Sequence, residues 1–568
     1  MNAALLLEHY ARIADAPDAI ARMRRFVLDL AVRGKLVEQD ASEEPASKLL
    51  QAFESERAIR VARKEMRKRK GLELGSEIPF EVPSSWLWLP LGETGHIFSG
   101  SSINEVTRER FSRAEDGRPF IATKDVGYGF DQLAYSNGLL VPTSEERFKT
   151  ARPNTPLICA EGGSAGRKIG LCDREICFGN KLIANELWGQ IAPRYVLCVY
   201  LSGFFYDQFC SRMTGVIGGI SLNRFLQLPF PLPPHNEQHR IVTKVDELMA
   251  LCDQLEAARA AREAARDTFT LSTLARLNTP DPEMFVADAR FTLANLAPLT
   301  TRADQIKQLR QTILNLAVLG KLAEQDPADE IADVPPLRQF SAASSIDPAV
   351  FEKFSKTISL PGGWQVAPLA QLSAYIVDCP HTTPKWKEQG EICIRTNQLR
   401  PGALDLSAPR YVSPEEYVER IERLEPLVDD ILYSREGGIL GIACLIPPGI
   451  RLCLGQRLML IRAGAETRPD FLELVLNSPF ITSIAKACTT GGAAPRVNMS
   501  TVRAYPIPLP PLAEQHRIVV KVYELMAVCD ELEAGITTGE HTRSRLLEAI
   551  LRQSLKTDTD RDEGPSNA

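Results

Sequence analysis

The sequence contains no uninterrupted apolar run of the roughly 18–20 residues that a membrane-spanning helix requires. Its first residues, MNAALLLEHYARIADAP, carry no basic leader before their short apolar run, so we expect no secretory signal. The twelve cysteines form no Cys-x-x-Cys pair, and the closest two are Cys172 and Cys177. We therefore expect neither a zinc ribbon nor a disulfide scaffold, and we predict a protein of a reducing cytoplasm.

Positive charge is also scarce for a protein that binds nucleic acid on its own. The formal net charge is −6 over 568 residues, a length that predicts two or more domains. The densest basic run, RAIRVARKEMRKRKG, spans residues 57–71. At helical spacing it is most simply a solvated helix face, and a phosphate-contacting role is the second interpretation.

Motifs for catalysis are missing as well. The chain has no G-x-x-x-x-G-K-[ST] phosphate loop, because the earlier glycine is absent before Lys35 and Lys321. The nearest string to an adenine-methylation loop, NTPDP from Asn278, lacks the aromatic residue that would stack on a flipped base. The pair Asp429 and Asp430 has no Glu-x-Lys nearby, so a metal-dependent nuclease is not supported. We predict a chain that is not an enzyme and binds no cofactor or metal.

What the sequence does contain is a long internal repeat. PFPLPPHNEQHRIVTKVDELMALCDQLE (229–256) matches PIPLPPLAEQHRIVVKVYELMAVCDELE (506–533) at 21 of 28 positions. A second pair lies upstream, RRFVLDLAVRGKLVEQD (24–40) and RQTILNLAVLGKLAEQD (310–326). Two unrelated segments would not reach this identity by chance, so we predict that one fold occurs twice in the chain.

Each downstream motif predicts a long helix with apolar residues spaced alternately by four and three, as in a coiled-coil seam. The predicted seam comprises Ile241, Val245, Leu248, Cys252 and Leu255 in the first copy, and Ile518, Val522, Leu525, Cys529 and Leu532 in the second. A helix of about 35–40 residues would be roughly 50–60 Å long, and the simplest arrangement pairs the two helices antiparallel. The upstream motifs are also predicted helices, with Gly34 and Gly320 as C-terminal caps.

The blocks between the motifs are predicted to be mixed α/β. Short β-type runs such as GRPFIATKDV, PLICA, EICIRTNQL and RLMLIRA alternate with turn residues, and helical stretches follow near the end of each block. The blocks resemble each other faintly. EGGSAGRKIG (161–170) parallels EGGILGIACL (436–445), and FGNKL (178–182) parallels LGQRL (454–458).

These two motifs, each present twice and in the same order, resemble the conserved regions of Type I restriction–modification specificity subunits. The string DCPHTTPKWKEQGEICIRTNQL (378–399) is similar to the opening of target-recognition domains in that family. The resemblance implies two globular α/β target-recognition domains joined by long conserved helices in a pseudo-twofold frame, with the chain termini close together. It also implies double-stranded DNA as ligand, with modification (methyltransferase) and restriction subunits as partners. S-adenosylmethionine and ATP with Mg would then belong to those partners.

The corresponding domain boundaries are 1–85 for a helical region with the basic segment, 86–234 for the first recognition domain and 235–335 for a central helical region. Residues 336–511 form the second recognition domain, 512–556 the C-terminal helix, and 557–568 a disordered tail. The basic segment and the connection near 270–305 receive no role from the resemblance.

Base reading in the major groove requires hydrogen-bonding side chains on turns, with Arg or Lys suited to guanine and Asn or Gln to adenine. The first block offers Lys124, Arg167, Lys168, Asn223 and Arg224, and the second His381, Lys385, Arg395, Asn397, Gln398, Arg496 and Asn498. Each one alone is more often a surface or structural residue, and we expect several of the group to contact DNA.

Other polar residues have alternative interpretations. Glycine-rich EGGSAGRKIG fits a phosphate cradle or, more commonly, a turn between strands. His239 and His516 lack a catalytic constellation, which favours helix capping or subunit docking. Asp378, Cys379 and His381 lack a distant fourth ligand and so make a poor metal site.

Two other functions stay open at this point. The chain could be the targeting part of a methyltransferase, although it lacks the cofactor-binding glycine motif. It could also be a repeat scaffold that holds proteins rather than DNA, which its acidic charge would suit.

Overall fold

The computed structural model describes residues 15–69, 71–74, 78–215, 218–279, 281, 283–335, 346–491 and 495–555. The chain divides into two compact units. Unit 1 comprises Met1–Ala261 and Glu540–Ala568, and unit 2 comprises Arg262–Gly539. The predicted disordered tail, 557–568, lies outside the described residues, as does part of the NTPDP string.

Unit 1 contains ten short strands. They are β1 (Leu87–Pro90), β2 (Gly95–Ser99), β3 (Arg118–Ile121), β4 (Leu140–Val141), β5 (Thr150–Ala151), β6 (Pro156–Cys159), β7 (Ile169–Leu171), β8 (Ile176–Phe178), β9 (Leu182–Leu187) and β10 (Pro229–Leu232). One four-stranded sheet has the order β2-β9-β6-β7 and another the order β4-β3-β8-β5, while β1 pairs with β10.

Unit 2 repeats this plan with eleven strands. They are β11 (Gln365–Pro368), β12 (Ser373–Asp378), β13 (Glu391–Ile394), β14 (Leu399–Arg400), β15 (Ala403–Leu404), β16 (Tyr411–Val412), β17 (Ile431–Ser434), β18 (Ala443–Leu445), β19 (Leu452–Leu454), β20 (Leu458–Ala463) and β21 (Pro506–Leu509). The order β12-β20-β17-β18 matches β2-β9-β6-β7, and β16-β13-β19 matches β4-β3-β8. Among the described residues, only the β14–β15 hairpin and β5 have no counterpart in the other unit.

The proline-rich stretch of each repeat is a strand, and not only the helix stop that its sequence suggests. β10 pairs antiparallel with β1, from Leu87 opposite Leu232 to Pro90 opposite Pro229. β21 pairs with β11 in the same register, ending with Pro368 opposite Pro506. A two-stranded ribbon tolerates proline because its outer edge needs no ladder hydrogen bond. These ribbons tie together the two ends of each variable block.

Helices cover the sheets and carry the frame. In unit 1 the shorter helices are Ala19–Val32, Leu49–Ala62, Glu105–Ser112, Pro193–Leu201, Gly203–Ser211 and Leu222–Leu226. In unit 2 they are Phe285–Ala294, Leu296–Leu299, Ala303–Val318, Pro348–Ser355, Pro414–Ile421, Leu369–Leu372, Pro469–Asn477, Pro479–Ala487 and Met499–Arg503. None of the helices described is long and apolar enough to cross a membrane.

The two long helices, His235–Asn278 and Leu512–Leu555, have 44 residues each. At 1.5 Å per residue each measures about 66 Å, longer than the sequence predicts. In the first helix the extra length follows from the alanine-rich continuation AARAAREAARD, which favours helix beyond the end of the seam. The first helix passes from unit 1 into unit 2 after Ala261, and the second passes from unit 2 into unit 1 after Gly539. The predicted mixed α/β fold with two long helices is confirmed, and their antiparallel pairing stays a prediction.

The predicted caps are confirmed by backbone geometry. Gly34 has φ +66° and Gly320 has φ +65°, a left-handed conformation that glycine adopts without strain. The following amides donate back into the helix, Lys35 to the carbonyl of Leu30 at 3.0 Å and Lys321 to that of Leu316 at 2.9 Å. Each upstream motif is therefore a helix closed by the same turn in both units.

The two ends of the described part of the chain meet inside unit 1, as the resemblance implies. Ala16 and Ala19 are buried in one cluster with Leu547 and Ile550 of the second long helix. In unit 2 the end of the first long helix is covered in a similar way, with Leu274 and Leu277 clustered against Leu316. The two units therefore also resemble each other in how the end of a long helix is covered.

Burial along the seam falls toward its C-terminal end. Ile241, Val245 and Cys252 are buried, Leu248 is partly buried, and Leu255 is 36% exposed. In the second copy Ile518, Val522 and Cys529 are buried, and Leu525 and Leu532 are partly buried. The first half of each seam therefore packs on the domain core of its own unit.

Candidate DNA-recognition surfaces

Each unit holds its variable loops on the same frame. In unit 1 the indole Nε1 of Trp86 donates to Glu237 at 2.9 Å, and Gln39 donates to the same carboxylate at 2.5 Å. Burial raises the pKa of Glu237, and these two donors oppose that shift. The Trp, Glu and Gln come from three separate repeated motifs, so one network joins the segment after the short helix, the residue before β1 and the long helix.

The EQHR motif uses its Glu and Gln inside the protein and exposes its histidine. Gln238 accepts a hydrogen bond from the amide of Ala192 at 2.8 Å, and Gln515 accepts one from the amide of Arg468 at 2.8 Å. His239 and His516 lie one turn inside helices that begin at His235 and Leu512, so neither histidine is an N-cap. Both are exposed, and the docking interpretation remains a prediction.

In unit 1 the variable loops enclose a groove of about 500 Å³, which we call the recognition groove. Glu161 from the EGG loop, Asn180 from the FGNKL turn and Ser221 from the loop after the helical pair line it. Glu161 also forms a backbone bridge with Gly219. The faintly repeated strings of the sequence thus meet at one face of the domain.

A smaller cavity of about 210 Å³ adjoins this groove and brings several cations together. Lys124, Arg108 and Lys181 line it, and Asn180 lines both cavities. Lys168 donates to the carbonyl of Thr123 at 3.0 Å, next to Lys124. Two of the predicted DNA-contacting residues of unit 1, Lys124 and Lys168, therefore lie side by side.

The other candidates of unit 1 lie apart from this pair. Arg167 donates to the hydroxyl of Tyr206 at 2.7 Å and stays exposed. Asn223 and Arg224 are exposed on the helix Leu222–Leu226, where Arg224 donates to the carbonyl of Arg212 at 3.3 Å. These residues extend the polar surface beyond the grooves.

Unit 2 carries a charged network at the equivalent face. Asp378, at the end of β12, accepts from Arg435 at 2.6 Å and lies 3.0 Å from Nε2 of His381. Arg435 also pairs with Glu436 at 2.9 Å, and Glu436 forms a backbone bridge with Arg496. His381 and Arg496 are both exposed beside this buried ion pair.

The arrangement removes Asp378 and Cys379 as metal ligands. The carboxylate is occupied by Arg435, and burial raises the pKa of the Cys379 thiol to about 11. A neutral thiol is a poor ligand because metals bind the thiolate. The described residues contain no cluster of three or more His, Cys, Asp or Glu side chains placed to hold a metal.

The remaining candidates of unit 2 fall into two groups. Lys385 and Asn397 are exposed, Asn498 is exposed at the start of a short helix, and Arg395 stacks on Trp386 at 5.6 Å. Gln398 is different, because it is 5% exposed and its Oε1 accepts from the amide of Arg395 at 3.0 Å. Gln398 holds its own turn, and we remove it from the candidate interface.

The structure adds two pairs that the sequence analysis did not select. Asn180 and Lys181 occupy the turn before β9, and Gln456 and Arg457 occupy the same turn before β20. Gln456 donates to the carbonyl of His381 at 3.1 Å, which places it beside the candidate histidine. The parallel between FGNKL and LGQRL was the available signal, since an amide followed by a cation occurs in both turns.

Comparisons with known proteins agree with this architecture. A family model described as "Type I restriction modification DNA specificity domain" matches residues 411–538. The EcoEI and EcoAI Type I restriction enzyme specificity subunits of Escherichia coli are each 27% identical to this chain, and each alignment covers 94% of both proteins. Over 94% of its length this chain is similar to Type I restriction enzyme specificity subunits. The printed names of these relatives are those of specificity subunits, which agrees with the prediction made from the sequence.

One solved structure supports the fold. It is described as "Structural basis underlying complex assembly and conformational transition of the type I R-M system" and shares 16% identity with this chain. The alignment covers 84% of this chain and all of that one, with a TM-score of 0.50. At 16% identity the likeness to this solved structure concerns the fold alone and not the role of any single residue.

Proposed function

We propose that this chain is the DNA-specificity subunit of a Type I restriction–modification complex. Unit 1 and unit 2 would each read one half of a split DNA target, and neither performs chemistry. The observation that carries this proposal is one frame holding two loop faces with different side chains. Gly219 of unit 1 and Arg496 of unit 2 occupy the same bridge beside the EGG loop, so the two faces present different donors.

The turn pairs fit this role chemically. Asn180 and Gln456 carry the amide that pairs with adenine in the major groove, and Lys181 and Arg457 carry the cation that pairs with guanine. Asn180, Lys181 and Arg457 are exposed. In unit 1 they join Lys124 and Lys168, and in unit 2 they join His381 and Arg496. These residues form the two surfaces that we assign to DNA. The domain boundaries predicted from the sequence, 86–234 and 336–511, would enclose these two surfaces.

The partners follow from the same proposal. The conserved helices would dock two adenine-N6 methyltransferase subunits, and restriction subunits would join through them. S-adenosylmethionine and ATP with Mg would bind to those subunits and not to this chain. Because its DNA target and these partner subunits would be in the cytoplasm, the complex would act there.

Single-molecule methylation sequencing tests the proposal directly. DNA would be taken from cells expressing this chain with its neighbouring modification subunit, and from matched cells lacking this chain. We expect a new split motif carrying N6-methyladenine on both strands only when the chain is present. A purified complex that leaves DNA unmethylated and also fails to bind it would contradict the proposal and favour a protein scaffold.

A further inference from the structure

Unit 1 has a third and larger cavity, to which the proposed function assigns no role. This open groove of about 1240 Å³ lies between the basic segment and the sheet of the recognition domain. Seven Lys or Arg side chains and two carboxylates line it, and we call it the basic groove. The segment does not form the single helical face that its spacing suggests, because the helix ends at Ala62 and Lys64 has φ +60°. This break turns the remaining cations toward the sheet.

The carboxylates of the basic groove are already neutralised by its inner cations. Glu186 accepts from Arg60 at 3.2 Å, and Glu65 accepts from Arg152 at 2.9 Å. Lys64, Arg67 and Lys68 are exposed, and they form no ion pair with another described residue. Three positive side chains therefore remain available at the rim.

Positive side chains also surround His96, which lies at the floor of the groove. His96 stacks on Phe98 with ring centroids 4.7 Å apart. Burial and then the nearby Arg60 and Lys149 lower the pKa of His96 to about 4. An anion in this groove would therefore meet positive side chains both at its rim and beside His96.

The cation cluster of this groove is not repeated in the described residues of unit 2. The equivalent stretch of unit 2, between the repeated Glu-Gln-Asp and the Pro-Gly-Gly-Trp string, has described residues 327–335 and 346–360. These contain five carboxylates against Lys353 and Lys356. The matching stretch of unit 1, residues 41–82, contains nine cations and eight carboxylates, and residues 57–70 hold eight of those cations with one carboxylate. The cluster of cations therefore belongs to unit 1 and not to the described part of the equivalent stretch of unit 2.

The basic groove adjoins the recognition groove. Leu222 lines both cavities. Lys149, on the wall of the basic groove, donates at 2.8 Å to the carbonyl of Ser99, which lines the recognition groove. The two grooves are therefore neighbours on unit 1.

We propose that the basic groove binds the sugar–phosphate backbone of the DNA that flanks the half-site read by unit 1. This inference rests on the proposed function and assigns to the basic segment the role that the resemblance leaves open. Its position beside the recognition groove favours a nucleic acid over an acidic protein. It also explains how a chain of net charge −6 contributes phosphate contacts, because the positive charge is concentrated on one side of unit 1.

A salt titration of DNA binding tests this assignment. The purified complex of the full chain with its modification subunits would be measured on a duplex carrying the mapped motif with long flanks. The variant Arg67→Gln/Lys68→Gln is compared with Lys353→Gln/Lys356→Gln, which removes the same charge from the equivalent stretch of unit 2. We expect the first pair to reduce the slope of log affinity against log salt by about 2, since each phosphate contact contributes about 0.9. The control pair should leave the slope unchanged.

Shortening the flank supplies an independent reading. Removing the DNA beyond the half-site of unit 1 should weaken binding of the wild-type complex but not of the Arg67→Gln/Lys68→Gln complex. Equal slopes for both variant pairs, with tight wild-type binding, would overturn the groove assignment alone. Loss of the modification subunits from the groove variant with an unchanged slope would overturn it in favour of an acidic protein partner. Failure of the wild-type complex to bind its motif would instead overturn the proposed function.

Discussion

The indole Nε1 of Trp364 donates a 2.9 Å hydrogen bond to the carboxylate of Glu514, inside the core of unit 2. Trp86 and Glu237 make the same bond at the same length in unit 1. In both units the carboxylate is buried, and burial raises its pKa. The two halves therefore share a buried polar contact, and its loss would remove one donor from a buried carboxylate.

We expect Trp86→Phe and Trp364→Phe to lower the free energy of unfolding by similar amounts. Each removes one donor from a buried carboxylate, which typically costs about 1–3 kcal/mol beyond the loss of ring area. Chemical denaturation of the two variants measures this. Trp88→Phe is the control, because its indole donates to the exposed-side carbonyl of Phe80 at 3.2 Å. A large difference between the two core variants would contradict the structural equivalence of the units.

Exchange of the second variable block should change only half of the DNA target. The β11–β21 ribbon shows where to cut, since residues 369–505 can be replaced while the pairing of Pro368 with Pro506 is kept. With the corresponding block of the EcoEI specificity subunit, we expect one half of the methylated motif to change and the other to stay. Methylation sequencing reads both halves at once, and a change in both would reject independent reading by the two units.

The turn before β9 should determine part of the half-site read by unit 1. Asn180→Ala and Lys181→Ala each remove an exposed hydrogen-bonding group without removing a contact inside the protein that the structure records. A lost base contact costs about 1–3 kcal/mol of discrimination, so we expect one motif position to become degenerate. Lys48→Ala, an exposed cation of the same unit away from the grooves, serves as the control. An unchanged motif in both turn variants would exclude this turn from base reading.

Stability should depend on pH through one buried carboxyl of unit 2. Glu473 is 2% exposed, and burial raises its pKa from 4.5 to about 7, although it accepts from the amide of Leu445 at 2.8 Å. The folded state therefore holds a proton that the unfolded chain releases earlier as pH rises. Stability contributed by this group is full below about pH 4.5, falls between 4.5 and 7, and is lost above that.

Glu473→Gln should remove this dependence while keeping the acceptor for Leu445. At about 1.4 kcal/mol per pKa unit, the variant gains at most roughly 3 kcal/mol over the wild type near pH 8. Unfolding free energies at pH 5 and pH 8 measure the difference, with exposed Glu524→Gln as the control. Equal pH profiles for wild type and Glu473→Gln would show that the carboxyl ionises without cost.

Local and repeated features were predictable from the sequence alone. The caps at Gly34 and Gly320, the long helices and the β-type runs all follow from periodicity and turn residues, which act between near neighbours. The duplication was visible because the frame residues make the same contacts twice, as Trp86 and Trp364 do. The resemblance to specificity subunits rested on those same residues.

Only the tertiary structure decided which polar and basic side chains are exposed and can contact a ligand. Asn397 and Gln398 are adjacent and chemically alike, yet one is exposed and the other is buried as the acceptor for its own turn. The basic segment reads as one helix face, whereas the fold ends the helix at Ala62 and sets the following cations against the sheet. Burial, ion pairing and the meeting of distant loops depend on contacts between residues far apart in the chain, and local pattern carries no record of them.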